Sequence, residues 1–447
     1  MASMVATDTA SPRRIAALAV PALVVLAAEP LYVLVDTAVV GHLGRTALAS
    51  LALGGGVLSV AAWLGTVLAY GTTGRAARQY GAGDRAAAVA EGVQASWIAV
   101  AGGLLMLVGA QLGAVPLAHA LAGSGPDAAA VAEGAAHWLR IASFGAPGIM
   151  LAMAGNGWLR AVQDTRRPVY YVLGANVLSA VLCPLLVYGL PGTGTGLGLV
   201  GSAWANVAAQ TVSGALFVRA LFAERVRLAP RPAVIRRQLA LSRDLLIRGA
   251  AFQACFISAA AVAARFGAAA LGAHQIALQL WMFCALALDA VAIAAQSLVG
   301  ADLGAGRADA ARRTARRVTL VGGVCGLGLA VLIGAGTWAL PALFTTDPSV
   351  RAQALVAWPW FVAMEPLAGL VFALDGVMIG AGDVRYMRNL TLVAALAGFL
   401  PAIWAAYLLH LGLGGVWAGL TLFVVIRLVA LLARLRSGRW AITGAVR

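Results

Sequence analysis

Five carboxylates stand inside otherwise apolar stretches of this 447-residue chain: Glu29, Asp36, Asp289, Glu365 and Asp375. An acid at the centre of a bilayer costs about 2.5 to 3.5 kcal/mol on insertion scales, so such residues usually face an aqueous cavity and carry a function. Glu29 and Asp36 belong to "EPLYVLVDTAVVGHLG", which begins at Glu29. On a helix their spacing falls about 20° short of two turns, which sets both acids on one face about 10 Å apart in depth. Pro30 removes a helical hydrogen bond beside Glu29 and offers a hinge. A carboxyl group sheltered from water exchanges protons closer to neutral pH than one in water. The pair therefore reads as a proton or cation relay on a helix able to bend. The competing reading is that Glu29 hydrogen-bonds a neighbouring helix and Pro30 is an ordinary membrane kink. Polar partners are at hand: Asn176, Ser179 and Cys183 share one helix face at i, i+3 and i+7, with Asn156 and Asn206 on the segments before and after. Such residues also serve simply as interhelical glue.

The elements that must hold these groups are membrane helices. The chain is 62% hydrophobic and 11% charged, with a mean hydropathy of +0.89, whereas a soluble domain carries about 25% charged residues. Apolar runs of about 20 residues recur roughly twelve times, each long enough to cross a bilayer. The net charge of +15 does not mark a nucleic-acid surface, because the arginines collect in alternate loops. Arg75, Arg78 and Arg85 form one group, Arg166 and Arg167 the next, and the run from Arg225 to Arg243 another; Arg307 to Arg317, Arg385 with Arg388, and Arg434 to Arg439 follow. That alternation predicts an even number of spans with both termini in the cytoplasm, in a cell inner membrane. The first apolar run is read as a retained span rather than a cleaved signal peptide.

The sequence also repeats itself. A shift of 223 residues carries "HLGRTALASLALGG" from His42 onto "RFGAAALGAHQIAL" from Arg265, and Gly81 onto Gly304. A shift of 219 carries "PGIMLAMAGNGWLRAVQDTR" from Pro147 onto "PLAGLVFALDGVMIGAGDVR" from Pro366, and a shift of 213 sets Trp204 on Trp417. The chain thus divides into an N-terminal lobe at 1–222, a basic linker at 223–243 and a C-terminal lobe at 244–447, each lobe with about six spans. Parallel repeats of this kind are typical of secondary transporters. Under these shifts none of the five acids has an acidic counterpart: Asp36 falls on Ala259, Glu29 on Phe252, Asp289 on Thr66, Glu365 on Ala146 and Asp375 on Asn156. A purely structural acid would tend to recur in both copies, so these five read as lobe-specific chemistry.

Several functions are excluded. All 32 basic residues are arginine, so there is no lysine for a phosphate-binding loop or a Schiff base. The glycine-rich "PGTGTGLGLVG" at 191–201 is then a loop leading into a helix. Cys183, Cys255, Cys284 and Cys325 show no metal or redox spacing, and neither do the five histidines. "GAGD" at 81–84 and 380–383 imitates an intramembrane aspartyl protease motif, but glycine closing one helix and aspartate capping the next explains both copies. Met150, Met153 and Trp158 read as core or lipid packing. No metal, no cofactor and no enzymatic activity are expected.

At this point "LVDTAVVGHLG", "NGWLRAVQDTRRP", "ALDAVAIAAQSLVGADLGAG" and "LDGVMIGAGDVR" together resemble the DinF-like branch of the multidrug and toxic compound extrusion (MATE) family, from the first span to the last. The resemblance implies an all-α polytopic membrane protein with about twelve transmembrane helices in two pseudo-symmetric six-helix lobes around a central cleft. It further implies export of small organic, often cationic, compounds in exchange for H⁺ or Na⁺. The family's first-span acid maps onto Asp36 as the coupling residue, its fourth-span asparagine onto Asn156 and a sixth-span polar position onto Asn206. Members often carry "N-x-x-x-D-P" in the fifth span, where this chain has Ser179 and Cys183 before Pro184. Glu29 is the expected substitute for that missing acid. Asp289, Glu365 and Asp375 are candidates to hold the substrate's or a cation's charge in the other lobe. The expectation is an antiporter acting as a monomer in the lipid bilayer, with H⁺ preferred to Na⁺. A flippase for a lipid-linked or polyprenyl precursor is the alternative; such proteins tend to line their cleft with arginines, and here only Arg140, Arg248 and Arg427 stand in ambiguous positions.

Overall fold

A computed structural model of the chain describes residues 11–190 and 195–445. Both chain ends and the first four residues of the glycine-rich loop lie outside the described residues. Within them the protein is helical, with twelve long helices: α1 (Pro12–Gly41), α2 (Arg45–Gly81), α3 (Arg85–Ala122), α4 (Ala128–Ala142 and Ala146–Ala161, joined by a tighter turn at Ser143–Gly145), α5 (Arg166–Tyr188), α6 (Leu199–Ala223), α7 (Pro232–Arg265), α8 (Ala268–Gly304), α9 (Ala308–Ala335), α10 (Pro348–Gly380), α11 (Val384–Leu408) and α12 (Gly412–Ser437). A short helix, Ala339–Phe344, precedes α10. Ten of the twelve are long and apolar enough to cross a membrane on their own composition. The other two are α4, split by its tighter turn, and α6, whose apolar character is diluted by Ser202, Asn206, Gln210 and Ser213. The basic linker is partly helical, because α7 already begins at Pro232.

The repeat seen in the sequence reappears in helix boundaries. At the shift of 223, α2 and α8 start and end together, each 37 residues long, and α3 and α9 start together at Arg85 and Ala308. At the shift of 219, α4 and α10 end together at Ala161 and Gly380. The copies differ where local geometry differs. In place of the tight turn in α4, α10 runs unbroken through Pro359 and Pro366. Where α5 is regular, α11 widens into a π-turn at Ala394–Phe399.

By packing, the chain forms two compact units. One comprises Val24–Ala76 and Asp84–Leu239; the other comprises Ala77–Gly83, Ala240–Arg447 and the described part of Met1–Leu23. Small residues bring the helices of each unit into backbone contact, the usual means of association where lipid supplies no hydrophobic drive. In the first unit Gly148 of α4 lies against the backbone of Gln210 on α6, where a Cβ would come within 2.3 Å of the carbonyl oxygen. In the second, Gly376 of α10 meets Ala292 of α8, with a Cβ position 2.2 Å from its carbonyl oxygen. These two contacts fix the helices that carry the polar residues described next.

The two "GAGD" turns behave differently. Asp84 caps α3, accepting from the backbone N–H of Ala87 at 2.7 Å, as expected. Asp383 stands at the start of α11 but makes no side-chain cap there; its carboxylate accepts instead from Arg434 at 2.7 Å. Protease chemistry has no support at either turn, since each aspartate is committed to a helix end or an ion pair.

Candidate functional site

Helix α1 carries Glu29, Tyr32 and Asp36 at i, i+3 and i+7, and it stays helical through Pro30. Without an N–H, Pro30 cannot bond the carbonyl of Leu26, so the turn before the site lacks one helical hydrogen bond. Asp36 is 5% exposed. Its Oδ1 accepts a hydrogen bond from the Cys183 thiol at 3.1 Å. Cys183 is held on α5 just before Pro184, and one turn later Tyr188 Oη donates to the Val39 carbonyl at 2.5 Å, so α1 and α5 are tied at two levels. On α6, Asn206 Nδ2 donates to Tyr32 Oη at 2.9 Å.

These groups border water-sized space. A cavity of about 340 Å³ is lined by Glu29, Tyr32, Asp36, Asn206 and Gln210, with Trp138 and Ile149 in its apolar wall. A smaller one of about 70 Å³ is lined by Glu29, Tyr32, Asn156, Asn176, Gln210 and Ser213. Glu29, Tyr32 and Gln210 border both. Trp138 is kept in place by its indole N–H, which donates to Ser202 Oγ at 2.8 Å. Asn156 is fully buried, and neither its side-chain oxygen nor its nitrogen has a hydrogen-bond partner.

Five of the sequence-derived residues of the N-terminal lobe therefore line these cavities, and a sixth, Cys183, touches one of them, Asp36. Asp36, Glu29 and Asn206 share the larger cavity, and Asn156 and Asn176 share the smaller one with Glu29. Ser179 is buried one turn from Cys183 and lines neither. Glu29 is exposed at the cavity wall, so it is not consumed as a structural bond between helices among the hydrogen bonds described. Tyr32, Gln210 and Ser213 were missed by sequence reasoning. Tyr32 had a signal, since it completes the i, i+3, i+7 face of Glu29 and Asp36; Gln210 also had one, at i+4 from Asn206.

The three acids of the C-terminal lobe separate into distinct environments. Asp375 accepts from both Arg248 and Arg427, so two of the three ambiguous arginines turn out to sit inside the helices rather than at their ends. Glu365, next to Pro366, is fully buried, and neither carboxylate oxygen has a hydrogen-bond partner. Asp289 is half-buried on α8. At a solvated helix end, Glu224 accepts from Arg85 at 2.7 and 3.1 Å, which holds its carboxyl below the usual range through that bond and through the charges of Arg85 and Arg167, against an opposing effect of burial.

Comparison with known proteins gives a consistent result. A family model described as MatE matches residues 21–185 and 245–404, one segment in each half. The chain is 33% identical over 440 residues to "Protein DETOXIFICATION 44, chloroplastic" of Arabidopsis thaliana, covering 95% of this chain and 83% of that protein. It is 32% identical over 447 residues to "DNA damage-inducible protein F" of Escherichia coli (strain K12), covering 97% of this chain and 94% of the other. Among solved structures, "Crystal structure of MATE in the bent conformation" superposes with a TM-score of 0.85 at 22% identity over 96% of this chain and 95% of that one.

Proposed function

The chain belongs to the MatE family, in its DinF-like branch, and from that premise we propose that it is a secondary antiporter coupled through Asp36. It is a multi-pass membrane transporter and not an enzyme. In the proposed cycle it exports small organic compounds, cationic or amphiphilic, in exchange for H⁺ by alternating access. The observation that carries this reading is the setting of Asp36: a buried carboxylate at a cavity wall whose described partner is a thiol rather than a guanidinium. Among the described residues no cationic side chain pairs with it, which suits a group that takes and releases a proton. Protonation removes the charge that a cationic substrate would seek and weakens the bond to Cys183. Helix α1 can then yield at the carbonyl left unpaired by Pro30, and deprotonation on the cytoplasmic side restores the starting state.

Proton coupling is favoured over sodium by the same contact. Sodium is a hard cation that needs several oxygen ligands, whereas position 183 offers a soft sulfur. Glu29 is proposed as the second acid of this lobe, since it borders both cavities. Asp289 and Glu365 remain candidates for substrate or cation charge in the C-terminal lobe, and Asp375 acts there only together with its arginines. The alternating arginine loops support an inner-membrane placement with both termini cytoplasmic, with lobes at 1–222 and 244–447 joined by 223–243, and the monomer is taken as the working unit.

Dye transport by everted vesicles under an imposed pH or Na⁺ gradient tests the reading, cellular efflux appearing there as uptake. Wild type should accumulate an ethidium-type dye when the pH gradient is imposed, and Asp36→Asn should not. If neither gradient drives efflux in wild type, the antiporter reading fails; if only Na⁺ does, the choice of coupling ion is reversed.

A further inference from the structure

The C-terminal lobe holds two arginines on one acid. Arg248 of α7 and Arg427 of α12 donate to the same oxygen, Oδ2, of Asp375 on α10, the latter at 2.5 Å. The side chains are 15%, 4% and 9% exposed, respectively. The cluster carries one excess positive charge. Nε of each arginine and Oδ1 of Asp375 are buried without a hydrogen-bond partner. Each guanidinium has five N–H donors, and one carboxylate oxygen occupies only one of them on each side.

A charge sheltered from water and left unpaired is strongly unfavourable, and a lone ion pair would be satisfied by a single arginine. The second arginine therefore asks for a second anion. Under the repeat, Arg248 falls on Val25, Arg427 on Gly214 and Asp375 on Asn156, so the duplicated scaffold is built without this cluster in its other copy. The surroundings describe the rest of the ligand. The ring of Phe252 lies 5.1 Å from the Arg248 guanidinium and 4.9 Å from that of Arg427, and Phe256 and Trp281 extend the aromatic wall. A ring this close engages the cation through its π-face and takes up none of the N–H groups, which remain to bind an oxyanion.

We propose that Arg248 and Arg427, poised by Asp375, form a subsite for an oxyanion, a carboxylate or phosphate carried on an aromatic or apolar body. The subsite rests on the exporter reading and narrows its amphiphilic substrates to ones that bear such a group. Asp375 acts as an internal counter-ion that keeps the two guanidiniums folded together when no ligand is bound. Removing it should then tighten anion binding, the opposite of what a plain structural ion pair would do.

The test is equilibrium binding to the purified full chain in lipid nanodiscs, with 1-naphthoate, 1-naphthyl phosphate, 1-naphthamide and inorganic phosphate as probes. Expected is competition between the two naphthyl anions, with whichever binds more tightly naming the oxyanion, and at least tenfold weaker binding of the neutral amide and of inorganic phosphate. Arg248→Gln should weaken naphthyl anion binding at least tenfold, and Asp375→Asn should tighten it at least threefold. Because Asp375→Asn strands two guanidiniums, its folding is checked by size-exclusion profile, and the anion should raise its melting temperature more than that of wild type. Amide binding as tight as naphthoate, unchanged affinity in Arg248→Gln, or weaker anion binding in folded Asp375→Asn would overturn the proposal. No ion gradient is involved, so a negative result here leaves the proton-coupling test standing, and absent dye efflux leaves this one standing.

Discussion

Asp36 and Asp375 are both buried carboxylates on apolar helices, yet they differ in what faces them. Asp36 meets the thiol of Cys183 and a cavity; Asp375 meets two guanidiniums that share one of its oxygens. Burial alone therefore assigns no role to an acid. A neutral, weak donor leaves the carboxylate's charge negotiable, and a proton can be taken up without breaking an ion pair. A pair of arginines commits the acid to ion pairs and leaves further guanidinium N–H groups without a bond to it. The first arrangement is the one the proposed coupling needs, and the second is the one the proposed anion subsite needs.

The sharpest way to break that comparison is to neutralise each acid in turn. Asp36→Asn should abolish pH-driven efflux while shifting stability by less than about 1 kcal/mol, since only one weak bond is altered. Asp375→Asn should cost about 3 to 5 kcal/mol, because it leaves buried guanidiniums without their counter-charge. Melting temperatures and efflux measured side by side would expose an error: equal destabilisation by both variants would mean that Asp36 is as structurally committed as Asp375. Glu29→Gln comes next. It should remove nearly as much coupled efflux as Asp36→Asn, and normal transport in this variant would show that Asp36 works alone. Tyr32→Phe should have a smaller effect. It deletes the oxygen that accepts from Asn206, a loss of about 1 kcal/mol or roughly fivefold in rate; efflux kinetics indistinguishable from wild type would take Tyr32 out of the site.

Much of this was readable in the residues themselves. The number of helices and their duplication were legible because a period of 223 or 219 residues carries one lobe onto the other, and a membrane helix advertises itself as a run of about 20 apolar residues. The acidic face of α1 was legible because i, i+3 and i+7 spacing is a property of the α-helix, so Glu29 and Asp36 could be placed on one face without a structure. What remained hidden were meetings between segments distant in sequence. Arg248, Asp375 and Arg427 lie on three helices whose mutual rotation depends on small-residue contacts such as Gly376 against Ala292, and no local period encodes that rotation. The same holds for Cys183. Sequence marked it as a departure from an expected acid, whereas only the folded chain shows that its thiol is spent on Asp36. Asp383 taught the reverse lesson: its place at a helix start suggested a cap, and a longer-range arginine, Arg434, won the carboxylate.

A third acid extends the comparison to water and gives the smallest expected effect. Glu224, just past the end of α6, accepts from Arg85 and lies 3.6 Å from Arg167, so it resembles Asp375 in having two arginines. Its side chain is 15% exposed, however, and those of Arg85 and Arg167 are 45% and 44% exposed, so solvent screens what the arginines contribute. The Arg85 bond, followed by the two positive charges, holds the Glu224 carboxyl below its usual range despite the opposing effect of burial. A group held lower in the folded state than in the unfolded one stabilises the fold above its unfolded value, about 4.3 for glutamate, and loses that contribution as pH falls through the folded value. Glu224→Gln should therefore lower stability by about 0.5 to 1 kcal/mol at pH 7. The gap from wild type should begin to narrow as pH falls below about 4.3 and close below the lower folded value. Thermal melts of both proteins across that range decide it. A gap that persists at acid pH would mean that Glu224 contributes through packing, and that two arginines around an acid need not act through charge even at a solvated helix end.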